Sequence, residues 1–163
     1  DIQSLALMMD LAMMGSGTGA VIEERHISKL PAVRNRIKVT DVGNFGGTGP
    51  KNRREHSYVS TRGNDVVIDC GDSRSGWVEA YEAFLDVAFS SEFDHTRPVQ
   101  VHVDLSRVRS AGQKLKGFGG TSNPVRLPDL FPRLGKILNG AYGRQLTSIE
   151  VCLLIDEAAV TRS

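Results

Sequence analysis

Three glycine-rich turns divide the chain where its hydrophobic pattern changes: Gly15-Ser16-Gly17-Thr18-Gly19, Gly71-Asp72-Ser73-Arg74-Ser75-Gly76 and Gly117-Phe118-Gly119-Gly120. Glycine tolerates tight turns and lets backbone come close to a ligand. Turns fixed at these points restrict the chain to short helices and strands in alternation, so the expected class is α/β or α+β. Each turn also exposes backbone N–H groups. Arg74 adjoins the second and Lys114 and Lys116 precede the third, the arrangement by which a backbone cradles phosphates. Three such turns point to a surface that handles nucleotides.

Between the turns, periodicity supplies the elements. Leu5, Met8, Met9, Ala12 and Met13 follow helical spacing within residues 2–14, and further apolar residues make that helix apolar nearly all round, as a buried helix is. Its methionines read as core filler. Residues 20–23 read as a strand and 37–42 as another. Pro31 limits any helix over 26–33. Residues 43–56 form a glycine-rich basic loop, expected to be the most mobile segment. Segments 58–61 and 66–69 read as a hairpin around Arg62-Gly63-Asn64-Asp65. Asp72 or Ser73 can cap a helix running to about Phe89, whose apolar face is Trp77, Tyr81, Phe84, Leu85 and Ala88. Residues 99–105 alternate as a strand with Val99, Val101 and Val103 on one side. Two helices are expected over 129–139 and 147–160.

A chain of 163 residues is one domain's length and can bury a working core. The net charge of +1 favours no partner, but its distribution is uneven. Residues 25–62 hold nine Lys/Arg against two Asp/Glu, and residues 63–104 hold two against nine. These blocks face each other, face different ligands, or form a mixed solvated surface. Two distant cysteines, Cys70 and Cys152, show no metal spacing and suit a reducing, cytoplasmic setting. No basic n-region opens the chain, so no signal peptide is expected, and the apolar opening run is too short to span a bilayer. His26, His56, His95 and His102 are scattered without ligand spacing, so no metal site is expected. His102 is out of phase with the valines and belongs on the surface. Asp156-Glu157 reads as a solvated helix face. No Ser/His/Asp or Cys/His set is present, so no catalytic residue is assigned.

The turns differ in what they can bind. At residues 71–74 a strand runs into a helix N-terminus, where orphan N–H groups and the macrodipole favour an anion. Arg74 can pair with phosphate there and Asp72 can accept from a ribose hydroxyl, with helix capping by Asp72 as the competing role. The turn at 15–19 is no P-loop, since no Gly-Lys-Ser/Thr follows, and no dinucleotide fingerprint, since it follows a helix and precedes a strand. A tight turn is its alternative role. Lys114, Lys116 and the glycines after them form either a phosphate-facing loop or a solvated connection.

In order along the chain come Met8-Met9-Asp10, Gly15-Ser16-Gly17-Thr18-Gly19-Ala20-Val21-Ile22-Glu23, Ile27-Ser28-Lys29-Leu30-Pro31, Gly71-Asp72-Ser73-Arg74-Ser75-Gly76-Trp77-Val78, Asp104-Leu105-Ser106-Arg107-Val108-Arg109, and Gly112 through Leu115-Lys116-Gly117-Phe118-Gly119-Gly120. This ordered set resembles the adenosylcobalamin-dependent (class II) ribonucleotide reductases, particularly the monomeric ribonucleoside-triphosphate reductases. Each motif alone is modest. The set covers most of the chain.

The resemblance implies part of a ten-stranded α/β barrel built around a radical site, plus an insertion that imitates a dimer interface and binds a deoxynucleotide specificity effector. On that reading residues 1–24 are a barrel segment, 25–110 the effector-binding insertion, and 111–163 the return to the barrel. Ser16 and Gly17 match the turn beside the substrate nucleoside. Asp72, Ser73, Arg74 and Lys116 fall to the effector. The redox and radical cysteines of the family match neither Cys70 nor Cys152. The chain therefore reads as a fragment, or one piece of a split reductase, inactive alone and binding no adenosylcobalamin alone. Expected partners are nucleoside triphosphates, deoxynucleotide effectors, and a complementary reductase fragment or a second copy. Other readings are a stand-alone nucleotide-binding regulatory module, or a nucleic-acid binder using the basic segment 25–62. Phe45 and Tyr58 are the only Phe, Tyr or Trp residues in that segment, which makes a poor stacking platform.

Overall fold

The computed structural model describes residues 30–42, 54–108 and 127–160. Four strands form one sheet: β1 (Ile37–Val42), β2 (Tyr58–Arg62), β3 (Asp65–Asp69) and β4 (Val99–Asp104). Three helices accompany them: α1 (Arg74–Phe89), α2 (Leu127–Gly140) and α3 (Ser148–Val160). The spatial order is β1-β4-β3-β2, so the last strand enters between the first and the third. β4 runs parallel to both neighbours, and β2 closes one edge antiparallel to β3. The architecture is therefore mixed α/β, as the alternating periodicities predict.

The pleat sorts the sheet into two faces. Val66, Ile68, Val99, Val101 and Val103 are buried together, whereas Asp65, Val67 and Gln100 between them are exposed. The helices lie on the valine side. The expected apolar face of α1 is fully used: Trp77, Tyr81, Phe84, Leu85 and Ala88 are all buried. Phe131 of α2 meets Tyr81 and Phe84 at ring-centroid distances of 5.8 and 5.4 Å. Gly135 of α2 lies over β1, where an added Cβ would make ordinary contact with Phe84, Val39 and Ile37. Aromatic contacts of this kind contribute about 0.5–1.5 kcal/mol beyond area burial.

Side-chain amides fasten the helices to the sheet. Asn139 Oδ1 accepts from the Ile37 N–H at 2.7 Å and its Nδ2 donates to the Ile37 carbonyl at 2.8 Å, pairing the outer edge of β1 as a strand would. Buried Asn35 donates to the Val87 and Ser90 carbonyls, which satisfies the carboxyl end of α1. The hairpin is two residues tight. Gly63 at its first central position has φ +59°, and Asn64 has no such positive φ, the pattern of a type II′ turn. Both strands are one residue longer toward the turn than their composition suggests. The helices expected at 129–139 and 147–160 are α2 and α3, shifted by one or two residues. The expected elements at 2–14 and 20–23 lie outside the described residues, as does most of the 43–56 loop.

Candidate nucleotide site at the carboxyl edge of the sheet

Parallel strands β1, β4 and β3 all end at one edge, and β2 begins there, because Tyr58 pairs with Asp69. α1 starts at the same edge, after four intervening residues. Open α/β sheets bind ligands outside the carboxyl ends of their strands.

The turn between β3 and α1 is crossed by residues 54–57. Asp72 N–H donates to the Arg54 carbonyl at 2.6 Å, and Gly71 N–H donates to Ser57 Oγ at 2.8 Å. Ser57 Oγ in turn donates to the Gly76 carbonyl at 2.5 Å. The crossing is close enough to require glycine twice. A Cβ on Gly71 would lie 2.6 Å from the Glu55 carbonyl oxygen, and one on Gly76 would lie 2.5 Å from the same atom. The glycines of this motif therefore admit a neighbouring backbone segment of the protein itself.

Ser73 is the N-cap of α1, accepting from the Gly76 N–H at 2.9 Å while its hydroxyl donates to the Glu55 carbonyl. Asp72 does not hold the cap position. It is 5% exposed, directly beneath the crossing segment. Ser73 is equally enclosed, and Arg74 is half-buried at the first helical position. Trp77, one turn on, is core and not surface.

Beside this turn sits a charge cluster that composition alone leaves unassembled. Asp69, the last residue of β3, receives Arg54 Nη2 at 3.1 Å and Arg107 Nε at 3.2 Å on one carboxylate oxygen. Its other oxygen, Oδ1, is buried without a hydrogen-bond partner among the described residues. Asp104 ends β4 opposite Asp69 and accepts from the Ser106 N–H. Arg54 comes from the basic block and Asp69 from the acidic one, so the two blocks do meet here. The Arg54 guanidinium also covers the Tyr58 ring, 4.8 Å from its centroid. Cys70 lies just under the cluster. Burial pushes its thiol up to about 12, with the Asp69, Asp72 and Asp104 charges adding to the effect and a Ser57 hydrogen bond opposing it.

Of the six residues assigned a binding role, Asp72, Ser73 and Arg74 are contiguous at this edge. Ser16, Gly17 and Lys116 lie outside the described residues, as does Lys114. Arg54, Asp69 and Arg107 were not singled out. The available signal was that β3 and β4 each end in aspartate, with Arg107 three residues after Asp104. Among the described residues, no group of three or more His, Cys, Asp or Glu could hold a metal ion.

Residues 48–138, more than half of the chain, match the family model for the insertion domain of B12-dependent ribonucleotide reductase. The chain belongs to this reductase family. It is 29% identical to an adenosylcobalamin-dependent ribonucleoside-triphosphate reductase of Lactobacillus acidophilus, a match covering 95% of this chain and 22% of that protein. A putative reductase of the same description from Mycobacterium phage D29 is 33% identical over 78% of this chain and 18% of its own length. The crystal structure of a B12-dependent (class II) ribonucleotide reductase superposes with a TM-score of 0.70 at 25% identity, covering 98% of this chain and 23% of that one. The chain thus spans about a fifth of the length of the relatives it matches. Among the described residues, no helix is long and apolar enough to cross a membrane.

Proposed function

We propose that this chain carries the specificity-effector region of a ribonucleotide reductase, with part of the substrate pocket. The complete enzyme would reduce ribonucleoside triphosphates to deoxyribonucleoside triphosphates by a radical mechanism dependent on adenosylcobalamin. Residues 1–24 and 111–163 would belong to its ten-stranded barrel and residues 25–110 to the insertion. The family match covers most of the second segment and part of the third. Ser16 and Gly17 would line the substrate pocket, and Lys116 would reach the effector. A cytoplasmic location goes with this role.

The observation that carries the reading is the meeting of Arg54 and Arg107 on Asp69 at the carboxyl edge of the sheet, where Arg74 opens the capped helix α1. A deoxynucleotide effector would bring its phosphates to these arginines. Asp69 holds two of them in position, and an incoming phosphate would compete with it for their donors. Asp72 and Ser73 shape the turn from within: Ser73's hydroxyl is engaged by Glu55 and Gly76, and Arg74, half-buried, is the least enclosed of the three. The groups gathered here are charged or hydroxyl-bearing and do not fit a large, mostly apolar corrin ring. No step through cobalamin is assigned to this chain's residues.

The test is titration of deoxynucleoside triphosphates into the complete reductase, with wild-type sequence and with Arg74→Ala. Charge-assisted hydrogen bonds contribute about 1.5–3 kcal/mol, so the variant should bind roughly ten-fold more weakly or worse. Equal affinity removes Arg74 and this turn from the effector site.

A further inference from the structure

The opposite edge of the sheet carries a second concentration of cations, and nothing above uses it. Lys38, Gln100, Asp65 and Arg62 stand in one cross-strand row over all four strands, on the face turned away from the helices. Arg97, from the loop leading into β4, joins them around an open cleft of about 570 Å³. We propose that this cleft binds the polyphosphate portion of a small ligand, as a site separate from the one at the carboxyl edge.

Four observations carry the assignment. Lys38 and Arg62 make no hydrogen bond or ion pair among the described residues, so both charges are available. Lys38, Arg62 and Arg97 outnumber Asp65 and the Asp94 carboxylate that pairs with Arg97, which leaves the cleft net positive. The walls are also held in place. Asn64 donates to the Asp94 and Arg97 carbonyls and accepts from the Asp94 N–H, tying the hairpin turn to the loop that presents Arg97. Asp94 in turn accepts from Thr96 and from Arg97 Nε at 3.3 Å, which orients that guanidinium. Finally, no aromatic side chain lines the cleft, so recognition rests on charge and not on base stacking.

The spacing selects an extended anion. Three inter-strand steps separate Lys38 from Arg62, roughly 14 Å at the usual strand spacing, so a single phosphate cannot engage both ends closely. Several linked phosphates can, with Arg97 between them. From Asp65 to Asp69 the chain advances about 13 Å along β3, which sets the two anion sites at opposite ends of that strand.

The probe is tripolyphosphate, titrated calorimetrically into the 163-residue chain at low and moderate salt. Binding should weaken as salt rises. The double variant Lys38→Gln/Arg62→Gln should lose about ten-fold or more in affinity while keeping the wild-type melting curve, because both side chains are exposed and unpaired. Absence of tripolyphosphate binding, or a double variant that binds as wild type does, overturns the proposal. A single-stranded DNA oligonucleotide run in parallel decides the ligand class: tighter binding than tripolyphosphate, lost in the same double variant, would make this a nucleic-acid surface and overturn the polyphosphate assignment. Arg74→Ala, measured alongside, leaves this cleft unchanged and reports separately on the effector reading.

Discussion

Ser73 Oγ donates to the Glu55 carbonyl at 2.6 Å and accepts from the Gly76 N–H at 2.9 Å, so one hydroxyl caps α1 and ties down the segment that crosses it. The cap that the sequence offers at Asp72 or Ser73 is Ser73's, and the same hydroxyl holds the crossing segment. The cap fixes where Arg74 begins the helix, and the crossing segment brings Arg54 to Asp69.

Ser73→Ala should destabilise the fold by about 1–2 kcal/mol, since it removes the cap and leaves the Glu55 carbonyl without this donor. Gly76→Ala should also destabilise, although alanine is the better helix former by about 1 kcal/mol. The added Cβ would meet the Glu55 carbonyl and the Gly71 backbone, neither of which is a flexible side-chain end. Urea unfolding followed by circular dichroism reads both. A stabilised Gly76→Ala would mean that residues 54–57 do not cross the helix start as described.

Cys70 should be chemically silent. It is 1% exposed and its thiol titrates at about 12. In native protein Cys152, which is half-buried, should react first with a thiol reagent, and Cys70 only on unfolding. The linkage follows in sign. The unfolded thiol ionises near 9 and the folded one near 12, so its contribution to stability is intact below about pH 9 and is lost as pH rises toward 12. Cys70→Ala should flatten that part of the stability profile relative to wild type. The same inertness bears on catalysis: with adenosylcobalamin, a dithiol and ribonucleoside triphosphates, this chain alone should form no deoxynucleotide. Turnover by this chain that is lost on replacing Cys70 and Cys152 would refute the absence of the catalytic thiols from this segment.

How much of this could be read beforehand depends on the range of the forces involved. The strand at 37–42, the hairpin, the apolar face of α1 and the alternation of β4 follow from local periodicity, and all are present. Strand order does not follow, because the insertion of β4 between β1 and β3 depends on tertiary packing. The same distinction divides the site. Residues 71–74 were legible because a strand-to-helix turn is a local event. The Arg54–Asp69–Arg107 cluster joins residues up to 53 positions apart, and no periodicity connects them. The packing role of Gly71 and Gly76 is illegible in sequence for a related reason. Their closeness to Glu55 is a contact across the fold, and sequence shows only that close approach is allowed.

The start of α3 is a reciprocal capping box, and it should fail in acid. Thr147 N–H donates to Glu150 Oε1 at 2.8 Å, and Glu150 N–H donates to Thr147 Oγ1 at 3.2 Å. Arg144 adds a bidentate pair to the same carboxylate at 2.7 and 2.8 Å. The Arg144 hydrogen bonds come first among the causes that hold Glu150 down at about 2. A depressed folded value means that this contribution is present above about 4.5, the ordinary value, and is lost as pH falls through about 2. Glu150→Gln should lower stability at neutral pH and reduce the pH dependence across that window. Thr147→Ala should cost about 1 kcal/mol at neutral pH. An unchanged acid limb in Glu150→Gln would show that the pair is solvent-screened and contributes nothing.

The last prediction concerns the outer face of α3. Ile149 is 72% exposed and Leu153, one turn on, is 45% exposed, so two large aliphatic side chains form a stripe facing solvent. Single exposed aliphatics are ordinary, but two in helical register make a strip that another segment can cover. Relatives of this chain are about five times its length, and we propose that a complementary reductase segment packs here in the complete enzyme. Without it the stripe should drive weak self-association of the isolated chain. Sedimentation velocity should show a concentration-dependent shift, together with binding of a hydrophobic dye. Ile149→Asp should suppress both while leaving the thermal melt nearly unchanged, because the side chain has little burial to lose. In the complete enzyme the same substitution should weaken assembly and lower activity. A strictly monomeric wild-type chain that binds no dye, with full activity of the Ile149→Asp enzyme, would show that α3 faces solvent in the whole protein as well.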